Sequence, residues 1–455
     1  MNAPLNPIEH LQIEVPDIDW VSDPQRIARL SQDFSWFSPV LTRQLAGKMA
    51  EAVARPRSVE EIRALVAACA RLRVPITIRG AGTGNYGQCV PLQGGVVLDL
   101  SGFNQFLWAR GGAARAQAGI RLADFEKQAR ASAGLELRCM PSTFRSATLG
   151  GLFGGGFGGV GSINYGPLAA RGNVLGIKVM TVEESPQIVE LRGPEALALH
   201  HLWGTNGLVL EIELAMAPAL DWQEHLVVFE AFGDALEFGQ AVAAAPGIVK
   251  REVGLLADPI PGYLTAWSAH LPAGSHALVL AIAPAGEAAM RELAAAWRGE
   301  VSYAKSAAEV AQGGRTLLET TWNHTTQLAL RVRKDITYLQ SAFTPGQHLA
   351  QVRKLHALLH PEVQMHAEFI RTLDGQLTCT ALQIVEFTTE ERLQEIMRIH
   401  REHGVRINDP HVFIVEDGKA GGGLDPAVVA AKRRFDPLNL LNPGKVRAWR
   451  EGVPE

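Results

Sequence analysis

The stretch RGAGTGNYGQ, residues 79–88, sets Gly82, Gly84 and Gly87 in G-x-G-x-x-G spacing. Glycines spaced this way let successive backbone N–H groups turn toward one anion, so the chain can grip a phosphate without side chains in the way. A second tract, PSTFRSATLGGLFGGGFGGVGSINYG over residues 141–166, is too rich in glycine to suggest a packed helix or strand. Its expected use is extended backbone lying against a flat or elongated ligand. Two such tracts in one region imply a long cofactor gripped along its length. Farther on, His324 (TTWNHTTQ), His366 (MHAEFI) and the pair Asp409 and His411 (NDPH) are groups that could take a proton from a bound substrate.

A nicotinamide-binding loop must run from strand through glycine turn into helix, because the pyrophosphate sits on the helix N-terminus. The strand VPITIR is present before the turn. The helix is not: QCVPLQGGVVLDL follows, where Pro91 and the Gly94-Gly95 pair interrupt any helix. Asp99 also comes too early to serve as the acidic ribose contact. The loop therefore reads as an anion cradle of another architecture, with a plain tight turn as the alternative.

The elements that must position these groups divide the chain. SVEEIRALVAACARLRV predicts a helix opened by a Ser58/Glu61 capping box, with Ile62, Leu65, Val66, Cys69 and Leu72 on one face. GGVVLDL, GIKVMTV and LVLEIEL predict strands, and RLADFEKQARASAG a second helix closed by Gly134. From about residue 221, strand and helix patterns alternate with little glycine, which predicts a separate sheet with helices on one side. DPAVVAAKRRF predicts a final helix, and EHG at residues 402–404 a helix end. A net charge of −4 offers no basic field for nucleic acid. Four scattered cysteines (Cys69, Cys89, Cys139 and Cys379) show no metal spacing and suit free thiols in a reducing, cytoplasmic setting. No signal peptide or membrane span is expected.

RPRSVEEI, VPITIRGAGTG, the ATLGG…GG.GS..YG tract, GTNGLVLEIEL and FDPLNLLNPGK occur in this order, and the chain so resembles the FAD-binding PCMH-type family of vanillyl-alcohol oxidase and p-cresol methylhydroxylase. The match is nearest the glycolate-oxidase-subunit and D-2-hydroxyacid dehydrogenase branch. The resemblance implies an α+β fold. An FAD-binding domain would span residues 40–220, a cap of antiparallel sheet plus helices 221–405, and a returning C-terminal segment 406–455. By the same resemblance FAD would be cradled by Arg79, Gly80, Ala81, Gly82, Thr83, Gly84, Asn85 and Gln88. It would be lined by Pro141, Ser142, Thr143, Thr148, Gly150, Gly151, Gly158, Ser162 and Tyr165. Val209 and Ile212 would hold the adenine end, and Asn442 and Lys445 would reach back from the C-terminus. Thr83 stands where some relatives carry a flavin-linking histidine, so noncovalent FAD is expected.

The hydroxyacid branch carries H-x-x-G-D-G-N and G-E-H-G in its cap. This chain has MHAEFIRTLDG and GVRINDPHVF there, so no metal site is expected. The implied function is FAD-dependent oxidation of a small hydroxy acid or alcohol, with His411, His324 or His366 as base and Asp409 beside it. Electrons would pass to oxygen or a carrier, and a homodimer is allowed for. The alternatives are oxidation of a neutral alcohol, sugar or lactone, and a silent flavin-binding subunit of a complex.

Overall fold

The computed structural model describes residues 5–418 and 423–450, so residues 419–422 and 451–455 of the expected C-terminal segment lie outside the described residues. The first sheet contains β1 (Asp19–Val21), β2 (Ala52–Arg55), β3 (Ile76–Arg79) and β4 (Val96–Asp99) in the order β1-β2-β4-β3. Strands β2, β4 and β3 run parallel, and β1 pairs antiparallel with β2. Helix Val59–Leu72 crosses between β2 and β3 and buries Ile62, Leu65, Val66 and Cys69 completely against them. Ser58 caps it by accepting the Glu61 N–H at 3.1 Å, while the Glu61 carboxylate reaches one residue past the cap to the Arg57 N–H. The sheet begins before residue 40, since β1 pairs with β2 and helix Pro7–Glu14 packs into the same core through Ile8 and Leu11.

A second sheet holds β5 (Phe106–Arg110), β6 (Ala113–Gln117), β7 (Leu135–Leu137), β8 (Val174–Met180), β9 (Ile188–Arg192) and β10 (Leu208–Pro218). The path runs β5-β6-β10-β8-β9, with β7 also on β10.

The third sheet has eight strands: β11 (Gln223–Phe229), β12 (Lys250–Leu256), β13 (His276–Ile282), β14 (Glu300–Lys305) and four more named below. Short strands β15 (Ile336–Tyr338) and β16 (Gln340–Ala342) precede β17 (Val363–Gln364), β18 (His366–Arg371), β19 (Leu377–Ala381), β20 (Ile384–Glu386) and β21 (Arg406–Asn408). The order is β14-β11-β13-β12-β18-β19-β16-β21, antiparallel throughout, and β15, β20 and β17 form a small separate sheet. Helices Phe232–Ala244, Glu287–Ala296, His348–Leu359 and Glu390–Glu402 cover one face. The other face is not bare, as a one-sided sheet would leave it. Ala277 and Val279 of β13 meet the turns at 260–270 and helix Asn323–Val332. Hence β13, HALVLAI, reads as an almost unbroken apolar run.

The second glycine tract departs from its expected extended form. Leu149–Gly155 is a helix whose N-cap, Thr148, accepts the Gly151 N–H at 3.1 Å. Leu149, Leu152 and Phe153 are buried in the core, and that burial offsets the roughly 1 kcal/mol that each glycine costs a helix. Gly150 is needed because a Cβ there would press on the Ala118 side chain and carbonyl.

Candidate functional site

Where β3 ends, the chain enters the first glycine loop. Gly82 and Gly87 have left-handed φ of 67° and 72°. A Cβ on Gly80 would strike the Thr148 hydroxyl, so the first loop lies directly on the start of the second glycine tract. Arg79 is folded back over the loop, donating to the Gln32 carbonyl at 2.5 Å and to the Ala81 carbonyl at 3.3 Å. Residues 31–38 support the loop from outside. Phe34 N–H donates to the Gly84 carbonyl at 2.6 Å, and the buried Asp33 carboxylate accepts from Ser35 and Cys89 N–H.

The loop and tract form one side of a cavity of about 500 Å³. Residues 79–85, Gln88, Pro141, Ser142, Thr143, Thr148, Gly150, Gly151, Gly158, Ser162 and Val209 all line it. Four expected cofactor residues do not. Ile212 is fully buried in the core, and Tyr165 points outward with the Arg138 guanidinium 5.2 Å from its ring. Asn442 and Lys445 lie behind the loop. Asn442 donates to the carbonyls of Gln88 and Trp203, both at 2.8 Å, and the Lys445 ammonium donates to the Gly87 carbonyl. They hold the shape of the loop from the side away from the cavity. Burial lowers the Lys445 pKa to about 8, against the opposing pull of Asp33 and Cys89. Residues 440–442 also extend the first sheet alongside β3 through an Ile76–Leu441 bridge.

The opposite side comes from the third sheet. Gln340 on β16, Thr380 on β19, and Arg406 and Asn408 on β21 line the cavity. They share one face, since Gln340 pairs with Asn408 and Ala342 sits between Thr380 and Arg406. Tyr86 of the glycine loop donates its hydroxyl to Gln340 Oε1 at 2.5 Å and so ties the two sides together. Among the described residues, the wall carries two cations, Arg79 and Arg406, and no carboxylate. Arg406 has no ion-pair partner among them. The buried amide Nδ2 of Asn85, on the wall, has no acceptor. Bare glycine backbone, a cation and an unused donor fit an elongated anionic ligand such as a dinucleotide.

The three expected histidines occupy different environments. His411 hydrogen-bonds Ser38 Oγ through Nδ1 at 2.8 Å and the Tyr338 carbonyl through Nε2 at 2.9 Å, buried and off the wall. Both ring nitrogens are occupied, so it braces the turn; Asp409 accepts the His411 backbone N–H and closes that turn. His366 is fully buried on β18, with Nε2 2.7 Å from Glu368 Oε1. Burial lowers its pKa to about 4. His324 is itself off the wall, directly after the wall residues Trp322 and Asn323, and neighbours the Ser142 backbone. Its Nδ1 is buried without a partner, and burial followed by the nearby Arg331 charge lowers its pKa to about 4. No group of three or more metal-type ligands is assembled among the described residues.

Trp322 holds φ 51° and ψ −141°, a conformation costing a bulky residue on the order of 1–3 kcal/mol. Its backbone N–H donates to Glu368 Oε1 at 2.8 Å and its indole N–H to Glu252 Oε2 at 3.3 Å. The ring abuts Gly158, where a Cβ would come within 3.3 Å of it.

Sequence reasoning missed Arg406, Gln340, Tyr86, Glu252 and Glu368. The i, i+2 spacing of Arg406 and Asn408 was a signal that both share one strand face. For the buried glutamates the signal was weaker: Gly254, opposite Glu368 in register, leaves room for its carboxylate.

Residues 50–189 match the FAD binding domain family. Over 432 residues the chain is 27% identical to the glycolate oxidase subunit GlcD of Bacillus subtilis, covering 88% of this chain and 89% of that one. It is 38% identical over 133 residues to GlcD of Escherichia coli K12, covering 29% and 26% respectively. In three dimensions it resembles an alkyldihydroxyacetonephosphate synthase with a TM-score of 0.72 over 98% of this chain and 86% of that one, at 15% identity. No helix among the described residues is long and apolar enough to cross a membrane.

Proposed function

We infer, from a chain that belongs to the PCMH-type FAD-binding oxidoreductases near the glycolate oxidase subunit, that the cavity oxidises the CH–OH group of a small 2-hydroxy acid. The observation that carries this reading is the wall itself, with two cations on opposite sides and no carboxylate between them. Arg79 and the glycine tracts would hold the FAD, whose bound ring supplies a two-electron acceptor for the substrate hydrogen. Arg406, exposed at the mouth of the cavity with Thr380 and Asn408 beside it, would hold the substrate carboxylate through paired N–H donors. His324 would take the hydroxyl proton, since its low pKa keeps it neutral and its Nδ1 is unused. Trp322 would exclude water from that end.

FAD would be bound without a covalent tether. Thr83 offers no linking imidazole, and burial pushes the thiol of Cys89, on the wall, up to about 11, leaving it un-ionised near neutrality. Acid precipitation should leave a yellow supernatant. Electrons would then leave to oxygen or a carrier.

The deciding experiment is anaerobic visible spectroscopy of the purified protein. Addition of 2-hydroxy acids should bleach the flavin bands, while neutral alcohols of the same size bleach them far more slowly. A yellow protein that neither class bleaches refutes the assignment, and equal bleaching by both refutes the carboxylate requirement. Readmitting air distinguishes an oxidase from a dehydrogenase.

A further inference from the structure

Behind Trp322 lie three titratable groups that the proposed chemistry does not use: Glu252 on β12, and Glu368 and His366 on the adjacent β18. Their exposures are 2%, 0% and 0%. Two carboxylates cannot lie side by side at that depth fully ionised. The hydrogen-bond pattern shows where one proton belongs. Glu368 Oε1 accepts the Trp322 backbone N–H and lies 2.7 Å from His366 Nε2, which is the ring nitrogen to carry the hydrogen because Nδ1 has no partner. Its other oxygen, Oε2, is buried and has no N–H or hydroxyl donor. Glu252 stands two residues from Gly254, the register partner of Glu368, on the same strand face, and both carboxyl groups bind Trp322. A proton on Glu252 is the donor that completes the set. Burial raises both carboxyl groups above the usual range, Glu252 well above it and Glu368 to about 7.

We propose that Glu252 keeps a proton at neutral pH and shares it with Glu368, and that this pair is a clamp fixing Trp322 against the second glycine tract. Glu252 and Glu368 are thus positioning residues: they act on the cavity only through the tryptophan that forms its wall. The clamp explains how a bulky residue stays in a left-handed backbone conformation, with one acid holding the main chain and the other holding the ring.

The first test is an infrared difference spectrum of the full-length holoprotein against Glu252→Gln at neutral pH. The wild type should show a buried protonated-carboxyl band that the variant lacks. Identical carboxyl regions would mean that Glu252 is ionised and would overturn the proposal. The second test is a double-mutant cycle on kcat/KM for flavin reduction. Glu252→Met and Trp322→Phe should each cost about ten-fold, the double variant should be little worse than the poorer single one, and Glu252→Gln, which retains an acceptor for the indole, should stay within about three-fold of wild type. Fully additive losses would show that Glu252 does not act through Trp322. The kinetic arm rests on the oxidoreductase reading above, whereas the infrared arm does not. A yellow protein that no substrate bleaches counts against that reading, and the infrared result still judges the clamp, as it does if Glu252→Met fails to fold.

Discussion

A histidine can act on a ligand only through a ring nitrogen that the protein has left free. His411 has none, because Ser38 and the Tyr338 carbonyl take both. His411→Asn should therefore leave anaerobic bleaching intact and destabilise the fold by about 1–3 kcal/mol in a urea titration, the cost of buried partners left unpaired. His324→Asn should do the reverse, lowering the bleaching rate by about 100-fold or more with little loss of stability. The low pKa of His324 also fixes a pH profile. Bleaching should stay level from pH 8 down past the ordinary histidine range and fall only near pH 4, where the ring protonates. In the same window the unfolded chain binds a proton that the folded one refuses, so His324 makes folding less favourable as pH drops from 6.5 toward 4. An acid limb near 6.5 would remove His324 from the role. The sequence had offered both His411 and His324 as candidate bases. What separates them is a serine 373 positions away, a contact that no local pattern carries.

At the scale of elements, the glycine tracts were legible because their composition has few other uses, and the order of the motifs identified the surrounding sheets. The helix Leu149–Gly155 was not legible, because propensity counts only the backbone cost and not the burial of Leu149, Leu152 and Phe153. Two glycines of this helix separate packing from propensity. At Gly150 a methyl group would meet Ala118 on two sides, and overpacking of about 1–3 kcal/mol should exceed the gain of about 1 kcal/mol in helix propensity. Gly150→Ala should lower the melting temperature. At Gly154 nothing lies within 4 Å of the added methyl group, yet the residue lines the cavity. Gly154→Ala should raise the stability of the FAD-free protein by about 0.5–1 kcal/mol and weaken FAD binding, measured by flavin fluorescence on titration. Unchanged affinity would mean that this stretch of backbone does not touch the cofactor.

The whole molecule closes on itself at the glycine loop. Residues 31–38 brace the loop from the N-terminal side, Tyr86 ties it to Gln340 across the cavity, and Asn442 and Lys445 hold its carbonyls from the far end of the chain. The FDPLNLLNPGK ending was recognisable, but its task was not: a lysine beside a phosphate-binding loop suggests an anion contact, whereas this one is buried on a carbonyl. Lys445→Met should leave the loop without that anchor. FAD at about a hundredfold over its Kd should stabilise the wild type by about 2.7 kcal/mol, and the same concentration should stabilise the variant measurably less in a melting experiment. The Ile76–Leu441 bridge and the two anchors lie within the last fifteen residues. In chain order both glycine tracts and strands β16, β19 and β21 come before these residues. The cofactor seat therefore takes its final shape only once residues 441–445 have joined β3 and the glycine loop.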